Sequence, residues 1–231
     1  MLVELLSIKN YEFICAIVDY CRDAFFNKIQ PIAATVPYMV SPGNHEFWYN
    51  FSSYKHRFTM PGYLFNSSSS SVIDVNDGSG DNMFYSWNAG FAHFISISSE
   101  SPIDTAYISE IEMDFIESDL IAATTTSNLQ KHQSWIIAHF HRPMYCSNDK
   151  ACLDYSGKEY GNAIYLRKKL EEMFMKYHVN LVLQGHVHAY ERTYPVYNET
   201  LVATNYLSPT APTYILQGSS GNREVRNQLF H

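Results

Sequence analysis

The sequence predicts an α/β layered domain, and three observations carry that prediction. Short apolar runs recur along the chain, amphipathic helix patterns lie between them, and each run ends in polar residues. The runs lie at 36–40, 91–97, 135–140, 181–183 and 214–216, and their length and apolar or alternating pattern read as strands. Between them, 163–177 repeats Leu166, Leu170, Met173, Phe174 and Tyr177 at spacings of three and four. Arg167, Lys168, Lys169, Glu171 and Glu172 occupy its other face. The stretch 109–122 reads as a second helix, with Ser109 as its cap and Ile111, Phe115 and Ile121 facing inward. Strands alternating with helices place helices against a sheet, and polar residues at the carboxyl ends of the strands are where chemistry is expected.

Length and composition fit one such domain over residues 1–231. Hydrophobic residues make up 46% of the chain and charged residues 17%, which suits a buried core and excludes a disordered chain. The formal charge of −7 and the absence of a basic stripe exclude a nucleic-acid-binding surface. A small phosphate ester stays admissible, because a local cation outweighs a distant net charge. The apolar run at 13–18 is too short for a membrane span, and residues 1–6 include Glu4 with no basic flank, so no export signal is legible. The serine run at 66–71, continuing in polar residues to Gly80, reads as a long surface loop.

The four cysteines are Cys15, Cys21, Cys146 and Cys152, and none forms a Cys-x-x-Cys pair. Cys146 and Cys152 bracket a short polar loop at a spacing that suits a disulfide. Sequons start at Asn50, Asn66 and Asn198. Together these favour a secreted or lysosome-like compartment.

Three strand ends hold residues of metal-ligand type: Gly43-Asn44-His45-Glu46, His139-Phe140-His141-Arg142-Pro143 and Gly185-His186-Val187-His188. Imidazole nitrogens with an amide oxygen suit zinc, iron or manganese better than calcium or magnesium. Two histidines one residue apart reach two adjacent ions from a single turn, as a two-metal site requires. Isolated histidines such as His93, His132 and His178 read instead as surface or satisfied core residues.

These blocks resemble the third, fourth and fifth signature blocks of the purple acid phosphatases, within the calcineurin-like metallophosphoesterases. The segment Gln30 to Tyr38 before the first block and Gly218 to Glu224 near the end match as well, so the resemblance runs from about Asp23 to Glu224. It implies two mixed β-sheets packed together with helices outside. It also implies acid hydrolysis of small phosphate monoesters at a dinuclear centre of iron plus a divalent ion, zinc, manganese or iron. Carried over, Asn44, His141 and His186 bind the divalent ion and His188 the iron, while His45 faces the phosphate and assists the leaving group. His139 has no counterpart in the family, and Phe140 stands where many members have glycine, so His141 is assigned as the ligand.

The family also supplies an iron-binding Asp from a first block, and a bridging Asp and a Tyr from a second block reading Gly-Asp-x-x-Tyr. Neither block precedes Gly43, so the first βαβ segment reads as incomplete and any preceding β-sandwich as absent. Asp19 and Tyr20 are the nearest candidates, but they are adjacent and stand closer to Asn44 than the family's spacing. The sequence therefore predicts a phosphatase impaired as written. Its alternatives are a noncatalytic metal-binding or interaction remnant, and a related phosphodiesterase or nucleotidase. The run Ala189-Tyr190-Glu191-Arg192 after the second His pair favours the purple acid branch over the last of these.

Overall fold

The structure is a computed structural model and describes residues 2–3, 19–62, 78–101, 106–125, 135–147 and 162–219. A six-stranded mixed sheet forms its centre. It contains β3 (Tyr85–Ala89), β4 (Ala92–Ser96), β5 (Trp135–His139), β6 (Leu181–Gln184), β7 (Tyr190–Arg192) and β10 (Thr213–Gln217), in the spatial order β3-β4-β5-β6-β10-β7. The four inner strands β4, β5, β6 and β10 run parallel, and antiparallel β3 and β7 close the two edges. A parallel pair, β1 (Leu2–Val3) with β2 (Tyr38–Met39), and an antiparallel hairpin, β8 (Val196–Tyr197) with β9 (Thr200–Leu201), complete the strands. The five predicted runs are β2, β4, β5, β6 and β10.

Strand register sorts side chains between two faces. Ile95, Ala138, Val182 and Tyr214 form one cross-strand row, and all four are buried against the helices. On the opposite face the next row runs Tyr85, Ser96, His139, Leu183 and Ile215. Its β3 end is covered by α1 (Asp19–Ala33), β2 and α2 (Ser52–Arg57) through Tyr38, Met39, Val40, Phe51 and Tyr54. A mixed main sheet, a smaller second sheet and flanking helices are the layered α/β arrangement that the sequence predicts.

The helix predicted at 109–122 is α3 (Glu110–Thr124), and Ser109 caps it by accepting a hydrogen bond from the Glu112 amide at 3.1 Å. Its inward face differs from the sequence reading. Ile111 and Ile121 are exposed, at 62% and 46%, while Glu112, Phe115, Ile116, Leu120 and Ala123 are buried. The cause lies at its first turn, where the Glu112 carboxylate turns inward and accepts the Ser98 amide at 2.6 Å. That contact sets the rotation of a helix whose apolar residues lie on nearly every side. The helix predicted at 163–177 forms α4 (Asn162–Leu166), a π-helical turn (Arg167–Glu171) and α5 (Glu172–Lys176) in unbroken succession. Leu166, Leu170, Phe174 and Tyr177 are buried as expected.

Candidate metal centre

The parallel strands deliver their carboxyl ends to one edge of the sheet, where the chain leaves β5 and β6, and the turn that follows β2 in the smaller sheet meets them there. After β2, Glu46 closes the first turn: its amide donates to the Gly43 carbonyl at 3.0 Å and its carboxylate accepts the Gly43 amide at 2.8 Å. A Cβ added at Gly43 would stand 3.1 Å from Nδ1 of His141, so this glycine lets the turn lie against that ring.

After β6 the backbone makes two successive three-residue turns. The Val187 amide donates to the Gly185 carbonyl and the Ala189 amide to the Val187 carbonyl, each at 2.8 Å. His186 is the central residue of the first and has φ of 69°, the rarer and strained hand of the γ-turn. Gly218, just past β10, is packed against this strand exit. A Cβ there would meet the Val187 carbonyl oxygen at 1.9 Å, so only glycine fits. Its amide also donates to the Ala189 carbonyl at 3.0 Å. Gly218, the first residue of the matching block near the end of the sequence, thus has a physical reason.

Three polar atoms meet between these turns. Nε2 of His141 lies 2.9 Å from Oδ1 of Asn44 and 3.0 Å from Nδ1 of His186, and the last two atoms are 3.3 Å apart. All three residues are buried. Three lone-pair donors in a closed triangle exceed what shared protons satisfy well. Ligands about 2.0–2.1 Å from one ion, at angles between square and tetrahedral, stand about 2.9–3.4 Å apart. The donor set therefore fits a first-row divalent ion in distance and in kind. Among the described residues no three His, Cys, Asp or Glu side chains come together, so the cluster is two imidazoles and one carboxamide. His45 and His188, both half-buried, flank the triangle in sequence.

His139 takes no part in the triangle. It is fully buried one strand repeat below His141, edge-on to Trp87 at 5.5 Å and to Tyr85 at 6.4 Å between ring centroids. Neither ring nitrogen has a hydrogen-bond partner among the described residues, and burial pushes its pKa down to about 3. His93 is a satisfied core residue, held by Asn88 at 2.8 Å and Asp119 at 2.7 Å, and His178 is exposed. His132 lies outside the described residues. The chain backbone around Asp19 and Tyr20 belongs to α1 rather than to a strand end. Cys146 is in a disulfide, while Cys152 lies outside the described residues.

Sequence reasoning missed the groups that hold the segment after β5. Arg142, next to His141, is the largest fully buried side chain described and pairs with the buried Glu100. Gln184 accepts the Met144 amide at 2.8 Å and donates to the Tyr145 carbonyl. Arg167 donates to the Met144 carbonyl at 2.6 Å, and Glu191 accepts the Ser147 amide at 2.9 Å. Nothing in a single sequence pairs residues so far apart.

Comparison with known proteins identifies the family. Residues 4–190 match the calcineurin-like phosphoesterase family. The chain is 38% identical over 219 residues to acid phosphatase type 7 of Homo sapiens, covering 87% of this chain and 44% of that protein. It is 33% identical to purple acid phosphatase 23 of Arabidopsis thaliana, covering 87% of this chain and 38% of the relative. The chain thus spans less than half the length of these relatives. A purple acid phosphatase from yellow lupin seeds superposes with a TM-score of 0.60 at 24% identity, over 85% of this chain and 33% of the other, which supports the fold. The chain belongs to the calcineurin-like phosphoesterases and is homologous to acid phosphatase type 7 and the plant purple acid phosphatases.

Proposed function

We propose that this chain carries the divalent-ion half of a phosphomonoesterase site, with Asn44, His141 and His186 as ligands of one ion and His188 as a ligand of its neighbour. The observation that carries the reading is the triangle of donors 2.9–3.3 Å apart. A pair of ions, iron with zinc, manganese or iron, would supply Lewis-acid charge for the phosphoryl oxygens and favour ionisation of the attacking water at mildly acidic pH. The chain's own residues then have separate tasks. Asn44, His141 and His186 hold their lone pairs in place before any ligand arrives. His45, following Asn44 in the Glu46-closed turn, donates a proton or a hydrogen bond to the departing alkoxide. Burial of the triangle excludes bulk water and strengthens each of these interactions.

No described carboxylate joins the triangle, which favours a second reading: a site that binds one ion and turns over little. Hydrolysis of a chromogenic phosphomonoester at pH 5, compared between the metal-loaded 231-residue chain and a longer chain that includes a Gly-Asp-x-x-Tyr block, distinguishes the two. We expect weak single-ion binding and little turnover from this chain alone, lost altogether in His186→Ala. A longer chain that includes a Gly-Asp-x-x-Tyr block should recover turnover. Robust turnover by the 231 residues that vanishes in His186→Ala would show that these residues suffice.

A secretory or lysosome-like compartment is part of this proposal. It rests on the Cys146 disulfide and on two sequons whose asparagines are exposed, Asn50 and Asn198. Asn198 and Glu199, with φ of 48° and 57°, form the two-residue tip of the β8–β9 hairpin. A mobility shift on peptide-N-glycosidase treatment of the secreted protein checks this; an unchanged mobility refutes it.

A further inference from the structure

We infer that Ser99, Glu100 and Arg142 act together as a positioning device for the ligand His141, and the inference rests on the metal-centre reading above. The peptide joining His141 to Arg142 is held from both sides. Its carbonyl accepts the Gly185 amide at 2.8 Å, next to the ligand His186, and its N–H donates to Oγ of Ser99 at 2.9 Å. Ser99 then donates from its hydroxyl to Oε1 of Glu100 at 3.0 Å. Glu100 in turn receives Nε of Arg142 at 3.0 and 2.9 Å on its two oxygens. The circuit closes on itself, from the Arg142 amide through a hydroxyl and a carboxylate to the Arg142 side chain.

Every member is buried, and both charged side chains have no exposed surface. An ion pair taken wholly out of water is a poor source of stability, because desolvation offsets most of the attraction; well-packed apolar residues do as well or better. What such a pair does supply is a fixed geometry. Ser99 and Glu100 belong to a segment anchored in its own right. The Ser99 carbonyl accepts the Tyr107 amide at 3.2 Å, Glu100 bridges Ala106, and upstream the Ile97 amide reaches the His139 carbonyl at 3.0 Å. The end of β4 is thereby tied to the strand that bears His141, and the His141 ring is aimed at Asn44 and His186 before an ion arrives. Groups that orient a ligand in this way affect metal affinity by about 10-fold to 100-fold when removed.

The test uses the full 231-residue chain with Co2+ alone as the probe, read by its visible ligand-field absorption. Ser99→Ala should weaken Co2+ binding by about 10-fold or more and shift the absorption band. Ser99→Thr, which keeps the hydroxyl, should restore most of the lost affinity. Glu100→Gln, which keeps the shape but removes the charge, should weaken binding at least as much. If that variant does not fold, the Ala and Thr pair at position 99 decides. His186→Ala should abolish the band in all backgrounds. A merely structural role predicts otherwise: a lower unfolding midpoint in EDTA, with the band and the affinity of the folded chain unchanged. That result in Ser99→Ala, with His186→Ala still abolishing the band, overturns the positioning role alone. A band indifferent to His186→Ala overturns the metal-centre reading and the positioning role with it.

Discussion

His139 and His141 stand two residues apart on one strand exit, yet their surroundings share almost nothing. His141 meets an amide oxygen and a second imidazole and is braced through the backbone by Gly185 and Ser99. His139, one repeat lower, faces Tyr85 and Trp87 and lies in a cross-strand row with Ser96 and Leu183. The same side chain is thus a donor in one layer and an apolar filler in the other. The difference comes from the turns after β2 and β6, which bring lone pairs to the upper layer only. A histidine's role here is decided by what the neighbouring strands do after they end.

The comparison breaks most severely at Gly218. A methyl group there meets the Val187 carbonyl, so Gly218→Ala should displace the turn bearing His186 and leave β5 untouched. Backbone cannot yield as a flexible side chain does, and we expect a loss of about 3 kcal/mol with Co2+ binding abolished. Urea unfolding and Co2+ absorption measure the two effects; wild-type values for both would show that the turn has another support.

The lower layer responds in the opposite direction. His139 carries an imidazole N–H with no acceptor among the described residues. Replacement by an apolar side chain of similar size removes that buried polar burden. His139→Leu should therefore raise stability by about 1–2 kcal/mol and leave Co2+ affinity unchanged. A loss of metal affinity in this variant would mean that the two layers are not separate.

Glu112 sharpens the contrast, as a buried group that is satisfied yet strained by its charge. Burial pushes its carboxyl well above the ordinary carboxylate range, and the Ser98 amide opposes this. With the folded value above the unfolded one, its contribution is complete at acid pH and is lost as pH rises through the folded value. Glu112→Gln should gain stability relative to the wild type as pH rises from about 4.5 to 8, read as a diverging urea midpoint. Equal urea midpoints at both pH values would show that the carboxylate is accommodated without penalty.

The elements that follow apolar pattern were legible in the sequence. The runs at 135–140 and 181–183 became β5 and β6 because parallel strands buried on both faces need continuous apolar residues. Asn44, His141 and His186 were legible as a group through three specific blocks at three strand ends. The rotation of α3 was not, because Ile111 and Ile121 carry the same apolar signal as Phe115 and only the contact of Glu112 with Ser98 separates them. The left-handed backbone at His186 was hidden for a related reason. Local preference disfavours it, and the strain is tolerated because Gly218 packs from 32 residues further along the chain. Ser99, Glu100 and Gln184 gave no local signal, since their partners are remote in sequence.

The three sides of the donor triangle join residues 97, 45 and 142 positions apart. Contacts so distant along the chain close only after the entropy of large loops has been spent, and parallel strands joined by crossovers form slowly for the same reason. The triangle therefore exists only where all three strand exits are in place together. An ion that binds it binds the finished chain and not its precursors, and draws the population toward the native state by mass action. In a compartment where divalent ions are scarce, folding yield itself would follow their supply.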